Sequence, residues 1–142
     1  MNHQRLRCYQ LGMLIAKAMP GILMKWPKGY YYLSDQLKRA VASIVLNIAE
    51  GNSRLSQVER KRFFTISMAS TSEVSSIFEI AYAYDLIDKS QSDYLQDILS
   101  FGSLLAFASH SLRMLFVAIV TQQMLSDQRK SKHFRFIRSY IN

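Results

Sequence analysis

A chain of 142 residues suits one domain with a single core, and 49% hydrophobic against 20% charged residues excludes a disordered chain. The lone cysteine, Cys8, excludes an internal disulfide and a CxxC metal or redox motif, and it fits a reduced, cytoplasmic setting. The net charge of +8 is unevenly laid out: residues 1–62 carry 11 Lys/Arg against 3 Asp/Glu, residues 63–126 carry 2 against 6, and residues 127–142 carry 5 against 1. That asymmetry implies an anionic partner, or subunits that meet basic surface to acidic surface.

The first predicted element is a helix over residues 4–19, on the spacing Cys8, Leu11, Ile15, Ala18, Ile22. Pro20-Gly21 and Pro27 to Gly29 punctuate the connection that follows. Residues 11–24 are apolar enough to suggest a signal peptide, but Lys17 interrupts them and no small-x-small cleavage site follows. The second helix is predicted over 31–50 on Leu37, Val41, Ile44 and Ile48, with Ser34 as one N-cap and an earlier start among Tyr30 to Tyr32 as the alternative. Gly51 is expected to close this helix in the left-handed conformation, which makes Gly51-Asn52-Ser53 a hinge. A phosphate-binding loop would need a preceding strand and a Gly-rich Lys-Ser/Thr signature, and neither is present.

Ser56-Gln57-Val58-Glu59 reads as a capping box opening a third helix over 56–86, with the seam Phe63, Ser67, Ser70, Val74, Ile77, Ala81, Tyr84. Ser90-Gln91-Ser92-Asp93 is a weaker cap for a fourth helix over 91–124, whose seam Tyr94, Ile98, Phe101, Leu105, Ala108, Leu112, Leu115, Ile119 steps by four and three. Residues 101–120 have the length of a membrane span. Arg113, His110 and three serines lie inside them, and a central Arg alone costs roughly 2.5–3.5 kcal/mol on insertion, so a core helix is expected. Nothing alternates with period two for long enough to build a sheet. The predicted fold is therefore an all-α, antiparallel up-down four-helix bundle over residues 1–126, followed by a basic tail over 127–142. The sides opposite these seams, Ala42, Leu46 and Ala49 on one helix and Thr65, Met68, Ser72, Ser76 and Ala83 on the next, are small or apolar, which predicts a homo-oligomer.

Few residues offer catalytic chemistry. His3, His110 and His133 lack ligand-like spacing, Cys8 has no evident His partner, and the acidic residues do not cluster. No metal, cofactor or enzymatic activity is expected. Glu73 borders the third seam, where a structural ion pair with Lys38, Arg39 or Arg113 is predicted. The Asn47 amide is placed to cross-link helices. The basic residues are the stronger lead. Arg54, Arg60, Lys61 and Arg62 cluster around the start of the third helix, and Lys38 and Arg39 lie near the start of the second. In the tail, Arg129, Lys130, Lys132, Arg135 and Arg138 interleave with Phe134, Ile137 and Tyr140. Such a pattern can pair with RNA or DNA phosphates and stack on bases, or dock on a partner protein or an anionic lipid surface.

The block Leu37-Lys38-Arg39-Ala40-Val41-Ala42-Ser43-Ile44, then Asn47-Ile48-Ala49-Glu50-Gly51, Arg54, Arg62-Phe63-Phe64 and Ser70-Thr71-Ser72-Glu73, carries a resemblance. Over residues 9–118 the chain resembles the bacterial four-helix-bundle family of proteins encoded in 23S rRNA intervening sequences. That family is similar to the accessory variability determinants of diversity-generating retroelements. Val45 stands where the family usually has Pro, which removes an expected kink. The resemblance implies a basic, ring-shaped homopentamer that binds nucleic acid and partners a reverse transcriptase. Together these expectations describe a non-enzymatic nucleic-acid-binding scaffold with no membrane segment. The alternative is a protein-interaction module that docks on an acidic partner.

Overall fold

A computed structural model describes residues 3–110, with side chains for all of these but 101 and 103–110. Four helices follow one another: α1 (Arg7–Leu23), α2 (Tyr31–Ser53), α3 (Gln57–Ala83) and α4 (Lys89–His110). Short 3-10 turns at His3–Arg5 and Lys28–Tyr30 precede α1 and α2. No strand occurs among the described residues. The predicted seam beyond residue 110 and the tail from 127 lie outside them.

Helix α2 packs most extensively on α3, and the contacts of α3 with α4, α4 with α1 and α1 with α2 close a four-helix arrangement. The α2–α3 pairs show the direction: Gly51 meets Phe63, Ile44 meets Ser67, Ser43 meets Ser70 and Gln36 meets Glu73. Numbers rise on α2 as they fall on α3, so the two helices are antiparallel, as a three-residue connection requires. The α2 seam is buried throughout, with Leu37, Val41, Ile44 and Ile48 at the core beside Val74, Ile77, Phe78 and Ala81 of α3. Leu95, Ile98 and Leu99 of α4 and Cys8, Leu11, Ile15 and Met19 of α1 complete it.

Several boundaries differ from expectation. Pro20 does not end the first helix. It lies inside α1, which runs to Leu23, and the Met24 amide donates to the Pro20 carbonyl at 3.0 Å. A proline removes a donor and crowds the preceding turn; Pro20 is exposed and lies in the last turn, so the helix ends soon after it. The buried stripe of α1 also drifts, from the expected Ala18 to Met19, as a 3.6-residue period does against a strict heptad. Ser34 is not an N-cap: α2 starts at Tyr31, and the Ser34 hydroxyl donates to the Tyr30 carbonyl at 3.2 Å inside the first turns. Ser56 does cap α3, accepting from the Glu59 amide at 3.5 Å. Helix α4 starts earlier than Ser90 suggests, because Asp88 caps it. Its carboxylate accepts from the Gln91 amide and the Ser90 hydroxyl, each at 2.8 Å, and the Gln91 side chain accepts from the Asp88 amide at 3.1 Å.

Gly51 is not the left-handed cap either. It sits within α2 and has no positive φ. A Cβ there would lie 3.0 Å from the Phe63 Cβ and 3.2 Å from the Phe64 ring, so the residue is glycine because α3 approaches closely. Gly12 does the same for α1, where a Cβ would meet Val45 at 3.2 Å and Ile44 at 3.3 Å.

Candidate nucleic-acid interface

The α2–α3 connection is built by its arginines. Arg54 is the C-cap of α2, and its amide donates to the Gly51 carbonyl at 3.3 Å. Its guanidinium pairs with Glu50 one turn back and lies 5.0 Å from the centre of the Phe63 ring. Arg60, in the first turn of α3, donates to the Arg54 carbonyl at 3.0 Å. Both arginines are half-buried, and their Nε atoms are buried with no hydrogen-bond partner among the described residues. These two side chains therefore hold the turn in shape. Lys61 and Arg62 stand next to them, fully on the surface. Of the predicted cluster, Lys61 and Arg62 are the cations presented to solvent, and Arg54 and Arg60 are the frame that presents them.

Lys38 and Arg39 are also exposed, near the other end of α2. Arg39 is engaged with Asp35 and with the Gln36 side chain, and the Lys38 ammonium lies 6.0 Å from the centre of the Tyr31 ring. Sixteen residues separate Lys38 from Arg54 along one helix, a rise of about 24 Å. One copy of the fold does not bring the two basic groups together. Arg129, Lys130, Lys132, Arg135 and Arg138 of the tail lie outside the described residues, as does Arg113.

Two polar expectations need correction. Glu73 forms no ion pair with Lys38 or Arg39; it is exposed and accepts from the Gln36 amide at 2.5 Å. Arg39 is drawn instead to Asp35, one turn away on its own helix, where no interhelical gap must be bridged. The Asn47 amide does not cross between helices. It turns back to the Ser43 carbonyl at 2.7 Å and the Ser43 hydroxyl at 3.1 Å. The crossing is made by Ser43 itself, whose hydroxyl lies 2.7 Å from that of Ser70.

Sequence reasoning missed a cluster of tyrosines at the Lys38 end. Tyr30 packs on Tyr84 with ring centres 5.6 Å apart, and Tyr31 and Tyr32 beside it are exposed. The run Tyr30-Tyr31-Tyr32 was the available signal, since successive residues on a helix cannot share one buried face. Elsewhere among the described residues, no group of three His, Cys, Asp or Glu could hold a metal ion, and no helix is long and apolar enough to cross a membrane.

The chain matches no curated protein. The family model for 23S rRNA-intervening sequence proteins matches residues 4–103, which spans α1, α2, α3 and most of α4 and includes both basic groups described above. With the greater part of its length under that model, the chain belongs to the 23S rRNA-intervening sequence protein family.

Proposed function

We propose that the protein is a non-enzymatic nucleic-acid-binding scaffold of the cytoplasm, assembled as a ring-shaped homopentamer and serving as an accessory subunit beside a reverse transcriptase. The observation that carries the binding reading is the α2–α3 turn. There Lys61 and Arg62 are exposed while Arg54 and Arg60 are spent on the backbone, on Glu50 and on Phe63. Two such cations per copy favour phosphate contacts, which position a protein without reading sequence. Assembly would repeat them around a ring, and the net charge of +8 per chain would grow with each copy.

The test is binding of the full-length protein to a labelled structured RNA and to a matching DNA duplex across a salt series. Two phosphate contacts per chain correspond to a log–log salt slope of about −1.8 for each subunit that reaches a duplex. The double substitution Lys61→Glu and Arg62→Glu is expected to weaken binding and leave the melting temperature unchanged. Unchanged affinity would remove this turn from the interface, and no binding by the wild type even at low salt would overturn the reading.

A second reading, a protein-interaction module, is favoured by exposed apolar side chains next to the same turn: Leu55 at 97% and Val58 at 79%. Under that reading the basic turn docks on an acidic protein partner, and both ligands fail to bind.

A further inference from the structure

Tyr31 and Tyr32 open α2 with Tyr30 as its N-cap, and a helix turns about 100° per residue, so the rings of Tyr31 and Tyr32 point in different directions. Tyr30 packs its ring against Tyr84 in the α3–α4 connection, and the Tyr32 hydroxyl also interacts with Tyr84. Tyr31 and Tyr32 remain 70% and 60% exposed, and Tyr84 is 48% exposed on its outer side. None of these tyrosines belongs to the buried core. The Lys38 ammonium over the Tyr31 ring puts a cation beside the aromatic surface.

We infer that this tyrosine end is a stacking platform for single-stranded nucleic acid: Tyr31, Tyr32 and the outer side of Tyr84 receive unpaired bases, and Lys38 meets the adjoining phosphate. The inference rests on the nucleic-acid reading above and names a second contact that only an unpaired strand can make. Bases in a duplex are already stacked on one another, so their faces are closed to protein rings, whereas every unpaired base offers a face to an exposed aromatic.

The nearby charges favour the Lys38 side for the strand's phosphates. Asp35 is engaged with Arg39, and Asp88 caps α4. Asp85, next to Tyr84, is exposed and repels phosphate. The backbone of the strand therefore follows the Lys38 side, and Tyr84 marks its far limit. The Tyr32 hydroxyl is held above the ordinary phenol value, first by desolvation and then by Tyr84 and Tyr30. It stays neutral at physiological pH and adds no repulsion.

The experiment compares a labelled oligothymidine with a DNA duplex of equal length, using full-length protein. Tyr31→Ala and Tyr32→Ala are each expected to cost roughly five- to a hundred-fold in affinity for the single strand and to leave duplex affinity unchanged. Tyr31→Phe and Tyr32→Phe are expected to retain single-strand binding, because the ring and not the hydroxyl does the stacking. Unchanged single-strand affinity in the alanine variants would overturn the platform and leave this surface to a protein partner. An equal loss for strand and duplex would overturn it too, since it would report a change in fold or assembly. Failure of the wild type to bind either ligand would instead overturn the nucleic-acid reading on which the platform rests.

Discussion

Asp85 carries the positive φ found among the described non-glycine residues, at 56°. It follows the C-cap of α3, Tyr84; the Leu86 amide reaches back to the Ala81 carbonyl at 2.8 Å and the Asp85 amide to Tyr82 at 3.0 Å. This paired closure needs a left-handed residue at its centre, a position that favours glycine. Asp85→Gly is therefore expected to stabilise the protein by about 1 kcal/mol, read as an upward shift of the denaturant midpoint at constant slope. Three residues on, Asp88 caps α4, and hydrogen bonds from the Gln91 amide and the Ser90 hydroxyl hold its carboxyl below the ordinary value of 3.8. A lowered carboxyl contributes stability that is present above 3.8 and is lost as pH falls through the lowered value. Asp88→Ala should thus melt below the wild type at neutral pH, and the gap should narrow as pH falls below 3.8. A gap that persists in acid would show that the cap does not depend on the charge. Neither cap was legible beforehand: Ser90 carries the commoner signal for the start of α4, no glycine marks the end of α3, and only the course of the chain shows which residue turns it.

At the scale of elements, α3 is the least ordinary helix. Its buried face mixes hydroxyls with aliphatic groups: Ser67 donates to the Ile44 carbonyl of α2 at 3.1 Å, and Thr71 to the Ser67 carbonyl at 2.9 Å. Ser75 and Gln96 tie α3 to α4 through two bonds, at 2.5 and 3.0 Å. Small polar residues let the backbones approach closely, and each buried hydroxyl has a partner, so the burial cost is met. The closest approach is at Gly51 against Phe63 and Phe64. Gly51→Ala is expected to destabilise by roughly 1–3 kcal/mol in chemical denaturation, because the Phe63 Cβ is fixed to its backbone and cannot swing aside. A neutral or stabilising result would mean that the helices slide apart at little cost and that glycine there serves another purpose. The α2 seam was legible from a step of three and four, and so was the α3 seam from Ser67 to Ala81, but its predicted ends fail: Phe63 is half-buried and Tyr84 is exposed beyond the end of the helix. The Gly51 contact was not legible, since one glycine at a helix end serves equally as a cap or as a close approach.

For the whole molecule, the question is what covers the outer faces of α2 and α3. Ala42, Thr65, Ser72, Ser76 and Ala83 are exposed as the sequence suggested, and Leu46 is 66% exposed, but Ala49 and Met68 are half-buried, Met68 because it packs against the core. Exposed small and apolar groups on both helices suit contact with a second copy. Light scattering of the full-length protein is expected to give an oligomer mass. Leu46→Glu should shift it toward the monomer, because a carboxylate would be buried at each interface; a wild-type monomer mass would remove the ring from the proposal. The class of the fold, the α2 core seam and the places where basic charge concentrates are all readable along the chain. Those are properties of residue type and spacing along one helix, and they need no knowledge of a neighbour. Packing between helices set which arginines are engaged at the α2–α3 turn, which serine crosses between helices, why position 51 is glycine and that Tyr84 meets Tyr30 at the start of α2. Each of these depends on which residue faces another across a gap between helices, and the packing of distant segments sets that distance.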